Sequence, residues 1–281
     1  MEGRTMKGNR RVILVADTRC SNSCSFCYYK GRETLSETGT DLLLDIVGVV
    51  DVVAIGLNPG HYHNDLIVLK EAVRRKLDIV VTTCPDPEIL ASLPGKGIGV
   101  LSITYSPGNV DKDTVKFLLG KRDRNTKLVL SVVDGTLDLA RGMHKDWHRL
   151  LNEFDAIYYL MEKGHPDRGW RMTSHLKRRY YSGAVMLARG VPIPLQIDEC
   201  VRGPGNCLNT GGSEGWLEID SSGGLRACPY NIEPRYVIES AEELAKDQFP
   251  GTSYLNARSP YSLTECSPKL EYERGEEEWQ V

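Results

Sequence analysis

The chain has 281 residues, of which 41% are hydrophobic and 26% charged, and a net charge of −3. That balance suits a globular protein with a sizeable core and gives no overall pull towards nucleic acid or anionic membrane. No window approaches the about 20 apolar residues a membrane-spanning helix needs.

Residues 1–10 are polar and basic, without the apolar run of a signal peptide, and are expected as a disordered lead-in. From there the chain alternates two kinds of segment. Short β-branched runs at 12–16, 49–55, 78–82, 99–104, 127–133 and 156–160 predict strands buried on both faces of a parallel sheet. Between them lie helical patterns at 64–76, 85–93, 111–119, 137–154 and 174–189. In the first of these Leu66, Leu69, Ala72 and Val73 share a face and Asn64 is a candidate N-cap. Gly190 and Pro192 close the last one. Six such units predict an α/β fold, a partial (β/α)6 barrel over 11–195 with right-handed crossovers and its active site at the C-terminal strand ends. Composition shifts at 192–199. Gly-rich turns follow, with a β-hairpin of 217–219 and Leu225 around a turn at 221–224, and a helix at 241–246. We read 196–270 as a small hairpin and helix extension, and 271–281 as a frayed acidic tail.

Eight cysteines stand at 20, 24, 27, 84, 200, 207, 228 and 266. Without a signal peptide, metal binding is favoured over disulfides and the expected compartment is the cytoplasm. Cys20, Cys24 and Cys27 form a Cys-x3-Cys-x2-Cys run just after the first strand. Thiolates so close in sequence reach one soft metal centre, whether iron–sulfur, zinc or copper(I). A structural zinc site wants four closed ligands; three thiolates on a four-iron cluster leave one iron open.

This motif, with Phe26 before its third cysteine and its place after strand one, resembles the radical S-adenosylmethionine (SAM) superfamily. The resemblance implies a [4Fe-4S] cluster on Cys20, Cys24 and Cys27 whose open iron binds SAM, and reductive cleavage of SAM to a 5′-deoxyadenosyl radical that takes hydrogen from a substrate carbon. It also implies a reducing partner such as flavodoxin or ferredoxin. The family's Gly-Gly-Glu-Pro loop, which holds the SAM amino group, corresponds to Gly56, Leu57, Asn58 and Pro59. The Gly and Pro are kept. Asn58 replaces the carboxylate and brings an amide oxygen without its charge. Thr82, Ser102 and Thr104 fall at strand ends where relatives place polar residues near SAM.

Cys207, the hairpin glycine Gly223 and Cys228 resemble the SPASM/Twitch extensions of the same superfamily. That likeness implies a second, auxiliary [4Fe-4S] cluster on Cys200, Cys207, Cys228 and Cys266; four thiolates also satisfy a zinc site. The substrate is expected to be a peptide or protein side chain. Dehydrogenation or rearrangement of a small molecule, nucleoside or nucleic-acid base is the alternative. A non-catalytic iron–sulfur or zinc module for electron transfer is the alternative of another class.

Other residues point less sharply. Cys84 reads as a small buried hydrophobe. His61 and His63 flank the SAM loop and read as solvated. Tyr158, Tyr159 and Glu162 are expected near the cavity mouth. The run Lys177, Arg178, Arg179, Tyr180, Tyr181 reads as a solvated helix face before a phosphate or base contact. Pro229 follows Cys228 where related peptide-modifying enzymes carry an acidic residue, which leaves Asp198, Glu199 and Asp220 as substitute bases.

Overall fold

The computed structural model describes residues 11–22, 24, 40–105, 110, 112–134, 151–160, 174–191, 193–197, 216–226 and 236–246. Ten strands among the described residues form one sheet. They are β1 (Arg11–Val15), β2 (Val52–Leu57), β3 (Asp78–Thr83), β4 (Val100–Tyr105), β5 (Lys127–Val133), β6 (Ala156–Leu160), β7 (Leu195–Ile197), β8 (Trp216–Asp220), β9 (Gly224–Arg226) and β10 (Tyr236–Val237). The order is β10-β9-β8-β1-β2-β3-β4-β5-β6-β7, parallel from β8 to β7 and antiparallel across the β8–β9–β10 end. Six described helices accompany it: α1 (Asp41–Val47), α2 (His63–Arg75), α3 (Pro87–Ser92), α4 (Lys112–Lys121), α5 (Ser174–Gly190) and α6 (Ala241–Lys246).

The expected strands and helices recur with shifts of a few residues; β5, β6 and α6 keep their expected bounds. α1, β7 and β10 are additional. The helix expected over 137–154 lies mostly outside the described residues. The hairpin expected at 217–225 is β8–β9, and it does not stand apart from the barrel strands. β8 pairs in parallel with β1 along its whole length, so the hairpin continues the sheet at the β1 edge, and α6 packs on α1. Among the described residues no helix is long and apolar enough to cross a membrane.

The alternating strand period sorts residues onto two faces. Val12 and Leu14, Val53 and Ile55, Ile79 and Val81, and Leu128 and Leu130 are all buried. They share one core with Leu43 and Ile46 of α1 and Leu66, Leu69 and Ala72 of α2. The other face carries Ala54, Gly56 and Val80, which are partly exposed, and Thr82, which is exposed. Helix ends are fixed locally. Asp86 caps α3 by accepting from the Glu88 and Ile89 amides, with Pro87 in the first turn, and Lys76 stops α2 in the left-handed region at φ 60°. Gly223 turns the hairpin at φ +83°, and a Cβ there would overlap the Ile238 carbonyl oxygen.

Candidate functional site

The site lies where β1, β2 and β3 end. Past Val15, residues 16–22 are laced to the loop after β2 by three successive ties. The Ala16 amide donates to Asp65 Oδ1 of α2 at 2.7 Å. Asn58 Nδ2 donates to the Asp17 carbonyl at 3.1 Å. The Ser21 amide donates to the Pro59 carbonyl at 2.9 Å. The turn at Gly60, φ +78°, lets the two loops close up: a Cβ there would sit 3.2 Å from Ser21 Cβ. Asp17 is buried and holds the Arg19 guanidinium through both carboxylate oxygens.

Cys20 and Cys24 are each partly exposed. The Asn22 amide donates to Cys20 Sγ at 3.4 Å, the kind of contact that tunes a metal-bound sulfur. Cys27 and Phe26 lie outside the described residues. Soft, accessible sulfurs on a loop held by backbone ties fit an iron–sulfur cluster, for which Cys20, Cys24 and Cys27 would be the ligands.

Strand register collects the expected polar residues. Gly56, Thr82 and Ser102 are successive partners across β2, β3 and β4. One step nearer the strand ends, Thr104, Ser131, Tyr158 and Gln196 are successive partners across β4 to β7. Period two puts both rows on the same face. They are linked by a 2.6 Å contact between the Ser102 and Ser131 hydroxyls. Gly56, Thr82, Ser102 and Thr104 thus share the sheet face that opens away from the helices.

The other SAM-loop residues divide by orientation. The Leu57 side chain belongs to the core, and its carbonyl accepts the Thr83 hydroxyl at 2.9 Å. Pro59 is buried. Asn58 gives its NH2 to Asp17, which leaves Oδ1 as the acceptor end of the amide.

Several expectations change. Cys84 is partly exposed rather than buried, and its sulfur is 3.5 Å from Asn22 Nδ2, so it stands at the rim of the cysteine loop. Tyr158 lies on the open face, but Tyr159 points into the core, where its hydroxyl donates to Asp134 at 2.6 Å. That bond and burial push the Tyr159 phenol far above its usual range, burial being the larger cause. The basic–aromatic run is solvated only in part: Arg178 and Arg179 are exposed, as expected, while its aromatic members turn inward. Arg179 pairs with the buried Asp134 at 2.8 Å, and Tyr180 is fully buried with its hydroxyl on the Tyr159 carbonyl. Asp220 is no free base, because its oxygens accept from Ser222, Gly224 and Arg226. His63 is exposed and His61 partly so. Glu162, Asp198, Glu199, Cys200, Cys207, Cys228 and Cys266 lie outside the described residues. The residue the sequence did not single out is Asp65. Its position, one before the apolar Leu66 of α2, is the only hint that it faces inward.

The fold, a mostly parallel α/β sheet with its cysteine loop after the first strand, is shared with solved structures that hold S-adenosylmethionine. The chain is similar to Streptococcus suis SuiB, with a TM-score of 0.58 and 14% identity over 87% of this chain and 66% of SuiB. SuiB bound to S-adenosylmethionine gives a TM-score of 0.56 at the same identity and coverage. The structure of anSMEcpe with bound AdoMet gives 0.53 and 9% identity, over 87% of this chain and 81% of that one. The chain therefore spans a little under two thirds of SuiB. No family model and no curated protein matches the sequence.

Proposed function

We propose that this chain is a radical SAM enzyme. The observation that carries this is the pair of partly exposed cysteines, Cys20 and Cys24, on a loop tied through Asp17 and Ser21 to Asn58 and Pro59, at the mouth of a mostly parallel sheet whose fold is shared with SAM-bound structures. A bound [4Fe-4S] cluster on Cys20, Cys24 and Cys27 supplies the electron for reductive cleavage of SAM. The chain's own groups do the positioning. Asn58 Oδ1 accepts from the SAM ammonium, and the Gly56 position leaves room beside it on the open face. Thr82 and Ser102, next to Gly56 in the same row, offer hydroxyls to the rest of the molecule. The reductant is a low-potential electron carrier such as flavodoxin or ferredoxin.

On this reading Cys200, Cys207, Cys228 and Cys266 hold an auxiliary cluster. The substrate is a peptide or protein side chain that loses hydrogen from carbon. The row Thr104, Ser131, Tyr158 and Gln196 supports this choice, because hydroxyl and amide groups without charge suit backbone amides.

The test is anaerobic. The protein is reconstituted with iron and sulfide, reduced with dithionite and given SAM, beside a Cys20→Ala/Cys24→Ala/Cys27→Ala variant. The expected result is 5′-deoxyadenosine from the wild type alone, with about eight irons per chain falling to about four in the variant. Zinc in place of iron, or no deoxyadenosine from an iron-loaded wild type, overturns the reading.

A further inference from the structure

One buried carboxyl beside the site has no part in the chemistry proposed above. Asp65, in the first turn of α2, is 1% exposed. Its Oδ1 takes the Ala16 amide at 2.7 Å, and its Oδ2 has no hydrogen-bond partner. A carboxyl held this way is costly; an apolar side chain would fill the same space without desolvating a charge or leaving an oxygen unmatched. Burial is the main force on its protonation and raises its pKa well above the ordinary aspartate value.

The cost is explained by what Oδ1 does. Ala16 is the first residue past β1, where the strand leaves the ladder between β2 and β8. On the β8 side the last backbone contact is the Ser221 amide on the Val15 carbonyl, so the Ala16 amide needs an acceptor from elsewhere. Asp65 supplies it and thereby fixes where the strand stops and the cysteine loop begins. The ties that follow, Asn58 to Asp17 and Pro59 to Ser21, come from the same β2–α2 connection and depend on that starting point.

We infer that Asp65 is a positioning residue for the Cys20–Cys27 loop, setting through the Ala16 amide the geometry in which the loop and Asn58 together receive SAM. This rests on the radical SAM reading. It assigns Asp65 no contact with SAM or iron; it acts as outer-shell partners of metal ligands act, where loss commonly costs about 10–100-fold.

The experiment compares wild type with Asp65→Asn and Asp65→Leu, two side chains of nearly equal shape. Asparagine keeps an acceptor for Ala16; leucine does not, while it fills the space. Each reconstituted, dithionite-reduced protein is titrated with SAM and followed by the change in its electron paramagnetic resonance signal. Iron content and melting temperature are measured on the same samples. The expected outcome is Asp65→Asn within about twofold of wild type, and Asp65→Leu at least about tenfold weaker for SAM at equal iron content and melting temperature. If leucine does not fold, the isosteric pair Asp65→Thr and Asp65→Val carries the same contrast of acceptor against none. A leucine or valine variant that titrates like wild type overturns the inference and leaves the radical SAM reading standing. A wild type with no SAM-dependent signal takes both down.

Discussion

The two halves of the sheet treat their polar groups differently. From β8 through β1 to β2, polar side chains near the strand ends are bound to the chain itself. Asp65 holds Ala16, Asn58 holds Asp17, and Asp220 holds its own turn and Arg226. From β4 to β6 the open face carries a hydroxyl row, and the charged network lies on the opposite, helix-covered face, where Asp134 joins Tyr159 and Arg179. The first half is built to hold a loop in one place. The second anchors α5 from behind and leaves Thr104 and Tyr158 partly exposed on its other face. A cofactor needs fixed ligands and a substrate needs access, so the contrast matches the proposed division of labour between the two halves.

The strongest way to break this comparison is to disturb the buried charges at the β8 edge. Arg226 NH1 lies 2.6 Å from Asp220 and 3.7 Å from Glu218, and all three are buried. Arg226→Met leaves two carboxylates without that guanidinium and should cost about 3–5 kcal/mol in urea unfolding. Adding Glu218→Gln should return part of the loss. An Arg226→Met protein within about 1 kcal/mol of wild type would mean that the edge is not held by charge.

On the other half, the clamp on α5 is steric as well as polar. A Cβ on Gly183 would overlap the Tyr159 hydroxyl. Gly183→Ala should therefore destabilise by about 1–3 kcal/mol, as overpacking does. Tyr159→Phe alone removes a buried hydrogen bond to Asp134, at about 1–3 kcal/mol. Combined, the two should cost less than their sum, because the phenylalanine vacates the volume the alanine needs. Strict additivity by thermal or chemical denaturation would show that α5 shifts as a body instead.

Asp65 gives a pH test of the first half. Its carboxyl has a higher pKa folded than unfolded, so the folded state binds its proton more tightly. The stability linked to that proton is fully present below the unfolded value of about 3.9 and is lost as pH rises towards the raised folded value. The wild type should therefore lose stability relative to Asp65→Asn as pH climbs from about 4 towards neutrality. Titrations of groups remote from residue 65 cancel in the difference; Asp17, whose charge also pushes the Asp65 pKa up, is carried along with it. A difference that is flat over this range would show that burial does not perturb the group.

Much of this architecture was legible because apolar β-branched runs mark buried strands wherever the turns between them are clear. Residues 127–133 lie between the polar Thr126 and Asp134, and 156–160 start after the polar Asp155, and both segments match their strands. Residues 49–50 joined the β2 run in the sequence although the strand starts at Val52, since Val49 and Val50 continue the apolar character of α1. α1 itself, Leu42 to Leu44 followed by Ile46 and Val47, is too short for periodicity to separate helix from strand. The cysteine motif was readable because its spacing is local. Asp65 was not, because nothing local tells a buried carboxyl from an exposed one on an amphipathic helix. Arg179 is exposed as a run of basic residues suggests, but its partner was not legible, because only tertiary packing puts Asp134 beneath it.

The smallest effect concerns the contact that joins the two rows. The Ser102 and Ser131 hydroxyls are buried and 2.6 Å apart. Ser102→Ala leaves the Ser131 hydroxyl without this partner, and Ser131→Ala does the same to Ser102. Each single change should cost about 1 kcal/mol, the usual net worth of such a bond. The double variant removes donor and acceptor together and should cost little more than either single change, so the cycle should return a coupling of about 0.5–1 kcal/mol. Under the proposed function the kinetic effects divide further. Ser102 lies in the row with Gly56 and Thr82, so its loss should weaken SAM; Ser131 lies in the row with Tyr158, so its loss should leave SAM-dependent signals unchanged. Equal weakening of SAM by both changes would merge the rows into one subsite and remove the distinction between the two halves at this point.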